Sequence, residues 1–573
     1  MLPIADQPSG TALYSVHYDL TCRIIREGGG FDHMLRLPGL LPAAAKSKLV
    51  LEQATAALNV GDRGDAERLL RKHLLEQPQD AAALTKLAEL VVGAQQVEEA
   101  TMLLRRAAGA DPAAARRMAL ICHMYRYVGA EPALEEIERM PPSLRINREV
   151  LAVEAACHGS LRNHDRQIGI YEELAQSDPG NALLLKTLGD ALKTVGRTAD
   201  AIAVLRRAVE AEPRYGEGWW TLSNFKSHKF SDRDISTMRK ALRHKLSDED
   251  ALHFHFALGA AYEQRSDFPN SFRHYDAGNA LRRKGLPADS MRITGVIDQA
   301  VATFVPELFE RHKGAGSPAN DPIFVVGLHR SGSTLIEQIL ASHPLIEGTA
   351  ELTVMQHIWE RLFRIASLRG RGPFEELAEL DGAAIRAIGE EYIDRTRAFR
   401  MTDRPYFVDK LPANWMHLGL IRLALPNAKI IEARRHPMAC GFSNFKQNYA
   451  SGIRFSYSLE SIGYFYRDYV RFMDHIERVQ PGAIHRLLNE RLIDDPEGEV
   501  RRMLAFIGLP FDPACLEAHR NERAVQTPSA EQVRRPINRD GVDYWRHYES
   551  WLGPLREALG SALESWDKPP QPR

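Results

Sequence analysis

The stretch Pro322-Ile-Phe-Val-Val-Gly327-Leu-His-Arg330-Ser-Gly332-Ser-Thr334-Leu-Ile-Glu-Gln-Ile-Leu340 decides how the rest of the chain is read. Ile323 to Val326 form a short continuous apolar run, the pattern of a strand covered on both faces. Gly327 to Gly332 supply turn chemistry, and Leu335, Ile336, Ile339 and Leu340 then recur at helical spacing. A strand that feeds a helix through such a turn leaves the helix's first amides unpaired and its positive end facing the gap. That geometry binds anions, phosphate above all.

Gly327 and Gly332 keep the Walker A spacing and Thr334 stands at its Ser/Thr position, but Ser333 occupies the place of the lysine. Arg330 is the strong cation of the turn. Such a loop can cradle a phosphate but is poorly equipped to grip a triphosphate with Mg²⁺. The competing reading is a turn with a purely structural role.

With 573 residues the chain is too long for one core, so two or more domains are expected. Its 74 basic and 75 acidic residues give no support to a nucleic-acid partner bound through bulk charge. The five cysteines are scattered without a CxxC pair, which suggests neither a disulfide framework nor a zinc site. No apolar run reaches the length of about 18 residues that spans a membrane, and no secretion signal opens the chain. A soluble, cytoplasmic protein is the expectation.

Residues 1–45 read as a loosely ordered extension around Gly28-Gly29-Gly30. From 46 to 285 the sequence is Ala/Leu-rich and repeats itself. Pro78, Pro112, Pro179 and Pro213 fall 34, 67 and 34 residues apart, and a period near 34 with two amphipathic helices marks tetratricopeptide repeats. Leu84, Leu87, Ala88, Val91, Ala100, Leu104 and Ala107 fit one unit, and Leu185, Leu188, Gly189, Leu192, Ala201, Leu205 and Ala208 fit another. This region resembles the tetratricopeptide repeat family, an α-solenoid whose concave face could hold a peptide or protein or serve only as scaffold.

Residues 286–320 read as an adaptor and a Gly/Ser/Pro linker. Strand-like runs then alternate with helical patterns, at Ile323–Val326, Tyr406–Val408, Lys429–Glu432 and Ala483–Leu488, which predicts a parallel sheet with helices on both faces. Ligands of such sheets bind beyond the carboxyl ends of the strands. Arg330, Asp409-Lys410 and Arg434-Arg435-His436 each follow a strand, and Ser443 lies on the helix after the last of them. Convergent cations call for a ligand with two or more anionic groups.

These residues carry a second resemblance. The segment from about 321 to 550, within a domain expected over 321–560, resembles the sulfotransferases that use 3′-phosphoadenosine 5′-phosphosulfate, in particular the tyrosylprotein branch and bacterial proteins joining tetratricopeptide repeats to such a domain. His329-Arg330-Ser331-Gly332-Ser333-Thr334 matches the family's 5′-phosphosulfate loop, and Arg435 with Ser443 matches its 3′-phosphate pair. Lys410 matches the lysine after the next strand and Glu351 the acidic base. A later element appears as Ser529-Ala-Glu-Gln-Val-Arg-Arg-Pro536 and Trp545. Asn489 stands where many relatives have a tyrosine, and Thr353 where the tyrosylprotein branch has an arginine.

The resemblance implies a P-loop-like α/β sulfotransferase domain, a nucleotide sulfate donor and no metal. Catalysis would rest on Glu351, Lys410 and Arg330; His329, Arg330, Ser331, Gly332, Ser333, Thr334, Arg435, Ser443 and Ser529 would bind the donor. The alternatives are a nucleotide-dependent phosphotransferase, with Asp409 as a magnesium ligand on a Walker B-like strand, and a non-catalytic repeat adaptor.

Overall fold

The computed structural model describes residues 42–59, 62–93, 96–110, 114–287, 292–349, 351–449, 453–521, 523–525 and 530–569. Residues 1–41 of the N-terminal extension and Ser529 lie outside them, while residues 42–45 open the helix Pro42–Asn59. By their contacts the described residues divide into two compact units. One holds the chain as far as Lys193 together with Ala199–Glu212; the other holds Thr194–Thr198 and everything from Pro213 onward.

The first unit is helical throughout. Arg63–Glu76, Ala81–Gly93, Val97–Ala110, Arg148–Ser160, His164–Ser177 and Ala182–Thr194 are among its helices. Short polar residues start them: the side chains of Asp62 and Asn147 accept hydrogen bonds from the amides of Asp65 and Glu149, each satisfying a donor that the first turn leaves unpaired. Leu84, Leu87, Ala88, Val91, Ala100, Leu104 and Ala107 are all buried in one core. The small members of that set let neighbouring helices approach, and the large ones fill the space between them.

The second unit begins with helices Gly216–Ser223 and Asp232–Ala241, followed by α1 (Asp248–Glu263) and α2 (Phe268–Arg283). The two labelled helices meet closely because Gly259 has no side chain; a Cβ there would lie 2.6 Å from the Tyr275 ring. Both pack onto the C-terminal half of the chain. Phe272 stacks on Phe445 and Trp551, Ser271 shares a 2.9 Å hydrogen bond with the Tyr548 hydroxyl, and Asn279 donates to the Phe445 carbonyl at 2.7 Å. Residues 314–321 are pinned as well, with the Ser317 amide donating to the Ala424 carbonyl at 2.8 Å.

A five-stranded parallel sheet forms the centre of this unit, in the order β2-β3-β1-β4-β5. Its strands are β1 (Pro322–Gly327), β2 (Ile346–Gly348), β3 (Tyr406–Asp409), β4 (Lys429–Arg434) and β5 (Ile484–Leu488). All six residues of the central β1 are buried. Phe324 and Val326 face one core with Tyr392 and Trp415, while Ile323 and Val325 face another with Ile336, Ile339, Ile431 and Met503. A continuous apolar run is what two covered faces require.

Three further helices position the site: α3 (Ser333–Ala341), α4 (Pro437–Phe445) and α5 (Leu459–Val479). The chain leaves β1 toward β2 and β3 but leaves β4 toward β5 on the opposite side. The order therefore reverses at the carboxyl ends of β1 and β4, where open α/β sheets place their ligands. Among the described residues, no helix is long and apolar enough to cross a membrane.

Candidate active site

The loop from β1 to α3 is wound around two left-handed residues. Gly332 has φ 98° and Arg330 φ 68°, a backbone state costing a non-glycine residue about 1 kcal/mol or more and typical of functional turns. Backbone that alternates in hand turns successive amides toward one point and forms an anion nest. The Ser331 hydroxyl donates to the Leu328 carbonyl at 2.7 Å and closes the turn. Ser333 and Thr334 open α3. No side chain fits at Gly332, since a Cβ would meet the Asn489 carboxamide oxygen at 2.6 Å.

His329 packs edge-on against Tyr449, and its carbonyl accepts from Asn444 on α4 at 2.8 Å. Burial pushes its imidazole down to about 4, so the ring is neutral at physiological pH. It supports the loop and adds no charge to it.

Two elements bring the Arg435/Ser443 pair to this loop. Arg435 follows β4 and donates to the Arg330 carbonyl at 3.0 Å, while Arg330 Nε donates to the Ser443 hydroxyl on α4 at 3.1 Å. The Tyr466 hydroxyl on α5 donates to the Arg435 carbonyl at 2.7 Å and fixes the backbone there. Burial, with Arg330 alongside, depresses the Arg435 guanidinium below its usual range. Its Nε is buried and has no hydrogen-bond partner among the described residues. A cavity is lined here by Arg330, Gly332, Thr334, Arg435 and Asn489, together with residues of the 532–541 stretch.

On the other side of β1, Lys410 follows β3 and is almost fully buried. Its ammonium pairs with Glu351 and lies 3.7 Å from Glu337 on α3. Burial alone would lower this amine, but the carboxylates of Glu351 and Glu337 hold it above its ordinary value. Glu337 in turn pairs with Arg523, whose other nitrogen donates to the Thr349 carbonyl at 2.7 Å. The Glu351 side chain is about one-third exposed, so a second molecule can reach it. Trp545 of the later element stacks on His436, just past Arg435.

The structure thus brings Arg330, Ser331, Gly332, Ser333, Thr334, Arg435 and Ser443 to one loop, and Glu351 and Lys410 to one ion pair. Glu337 and Arg523 were missed by reasoning from the sequence. A signal existed for the first: Glu337 interrupts the apolar pattern of a helix whose neighbours Ile336, Ile339 and Leu340 are buried. An acid in that setting calls for a buried cation.

Asp409 turns away from the cavity. It is fully buried and accepts hydrogen bonds from the Tyr392 hydroxyl at 2.8 Å and from Asn414 at 3.3 Å. Burial pushes its carboxyl up to about 7 despite these bonds. The folded pKa lies above the unfolded value of about 4, so the stabilisation is complete in acid and is lost as pH rises toward 7, at up to about 1.4 kcal/mol per unit. Asp409→Asn is therefore expected to raise stability at pH 8 and to change it little at pH 4. Urea unfolding at the two pH values checks this.

Residues 322–513 match the sulfotransferase family. The C-terminal region carries a sulfotransferase-family domain. An uncharacterized protein of Aquifex aeolicus is 30% identical over 407 residues, which cover 70% of this chain and 53% of that protein. The chain thus spans about half the length of that relative. A Caenorhabditis briggsae protein named "Putative protein-tyrosine sulfotransferase" is 26% identical over 230 residues, 39% of this chain and 80% of the relative. Among solved structures, the sulfotransferase domain of the Synechococcus PCC 7002 olefin synthase is 24% identical, covering 44% of this chain and 95% of its own, with TM-score 0.33. A Mycobacterium avium sulfotransferase is 16% identical, covering 60% and 98%, with TM-score 0.29.

Proposed function

We propose that the chain transfers a sulfuryl group from 3′-phosphoadenosine 5′-phosphosulfate to an acceptor hydroxyl. The observation that carries this reading is the meeting of the Arg330–Thr334 nest with the Arg435/Ser443 pair at one end of the sheet, next to the Lys410–Glu351 pair. The residues fit such a donor: buried Arg435 Nε has no hydrogen-bond partner among the described residues, and the cavity beside it is lined by Arg330, Gly332 and Thr334. Bound there, the donor supplies the sulfuryl group, with adenosine 3′,5′-bisphosphate leaving.

Arg330 and the amides of residues 331–334 hold the 5′-phosphate and stabilise charge on the oxygen that leaves. Arg435 and Ser443 hold the 3′-phosphate and set the register. Lys410, kept protonated by its two carboxylates, supplies a point charge to the group in transit. Glu351 accepts the acceptor's proton as the new oxygen–sulfur bond forms and the old one breaks. Positioning and charge stabilisation dominate such in-line displacements. A tyrosine phenol, with a pKa of about 10, gives up its proton to a carboxylate more readily than an aliphatic alcohol does. The Caenorhabditis relative supports the same acceptor. The helical hairpins before Pro213 are proposed to be tetratricopeptide repeats that hold a peptide.

Incubation of the protein with radiolabelled sulfate donor and a host lysate tests the reading. Label is expected in protein tyrosine. Label confined to small molecules removes the peptide acceptor, and Mg²⁺-dependent ATP turnover without labelling overturns sulfuryl transfer.

A further inference from the structure

Lys226 lines the same cavity as Arg330, Thr334 and Arg435, although it belongs to the turn between helices Gly216–Ser223 and Asp232–Ala241. That turn is fastened on several sides. Phe225 is wholly buried beneath it. The two carboxylate oxygens of Glu531 accept from the Lys226 and Ser227 amides at 2.7 and 3.0 Å. The Gln264 side chain accepts from the Phe230 amide at 3.2 Å and donates to the His228 carbonyl at 2.9 Å. A backbone held at so many points fixes where this exposed lysine joins the cavity lining.

Two cations and two carboxylates surround this ammonium, and one of each, Lys446 and Glu263, pair with each other at 2.7 Å. Arg330 comes from the loop and Lys446 from the end of α4, against Glu263 at the end of α1 and Asp540 from the 532–541 stretch. Lys226 is itself exposed; partial desolvation, and then the two cations, draw its ammonium down to about 8 in spite of those carboxylates. Glu531 is committed to the backbone amides. A multiply charged anion entering between Lys226 and Arg330 relieves the repulsion and restores the proton.

We propose that Lys226 is a phosphate-binding residue of the donor site, contributed by the helical segment that precedes the sheet. The proposal rests on the donor reading above and extends it, because it makes nucleotide affinity depend on the seating of the 224–231 turn.

The protonated lysine attracts the nucleotide, so this part of the affinity is present at pH 7 and fades as pH rises through about 8. Titration of the full chain with adenosine 3′,5′-bisphosphate in a calorimeter, at pH 7 and pH 9, tests the idea. Lys226→Ala is expected to weaken binding about tenfold at pH 7 and to lose the fall between the two pH values. Lys226→Arg is expected to recover most of the affinity at pH 7 and to hold it at pH 9, since guanidinium stays charged. Wild-type binding by Lys226→Ala, with Arg435→Ala impaired, overturns this proposal alone. Absence of binding by the wild-type chain overturns the donor reading and this proposal with it.

Discussion

Lys410→Met is expected to lower the proposed sulfuryl transfer by about 10²–10³-fold and to leave a folded protein, the range seen when one preorganised donor to developing charge is removed. The reason lies in how the lysine is held. Its stem is buried, and its ammonium lies between Glu351 and Glu337. Methionine keeps the stem's volume and deletes the charge. Glu337 is not stranded, because Arg523 still pairs with it from the other side. Glu351 is partly exposed and stays hydrated. The loss is therefore expected in kcat, with donor affinity close to wild type, because the proposed phosphate grip of Arg330, Arg435 and Ser443 does not involve Lys410. Steady-state kinetics and nucleotide binding on the same preparation separate the two. An unchanged kcat would remove Lys410 from the chemistry.

What could be read in the sequence follows from the range over which each feature is specified. β1, its turn and α3 are encoded by consecutive residues: an apolar run, two glycines at fixed spacing, then a helical period. The cations after β3 and β4 were legible because strand ends are legible, and a parallel sheet sends those ends to one side. β2 was not, because Ile346–Gly348 is three residues long and owes its pairing to β3, with Ile346 opposite Tyr406. The Glu337–Arg523 pair joins positions 186 residues apart, and no local pattern announces it. Nor did composition show that α1 and α2 pack on the sheet unit. Phe272 and Tyr275 look like ordinary repeat residues until Trp551 and Tyr548 come back from the far end of the chain to meet them.

A buried charge cluster beneath the site gives the largest expected effect on stability. Glu432 and Arg434 on β4 are both fully buried, 2.5 Å apart. Arg486 on β5 donates to Glu432 at 2.8 Å and to Asp474 at 2.6 Å, and the Tyr469 hydroxyl donates to Glu432 at 2.6 Å. Burial would raise the Glu432 carboxyl, but Arg434 and Arg486 hold it below the usual carboxylate value. Glu432→Leu leaves Arg434 in the core with Asp474 at 3.6 Å as its remaining counter-ion, and removing one partner of a buried pair costs about 3–5 kcal/mol. The double variant Glu432→Leu with Arg434→Met removes both charges together, and Arg486 keeps Asp474. It is expected to lose much less than the single variant, because two charges no longer have to be desolvated. Chemical denaturation of the wild type, the two single variants and the double variant measures the coupling. If the double variant lost the sum of the singles, the cluster would not act as a unit. The same experiment bears on the site, since Arg435 directly follows Arg434. A repacked β4 that still binds adenosine 3′,5′-bisphosphate would show that the Tyr466 hydroxyl and the Arg330 carbonyl suffice to hold Arg435 in place.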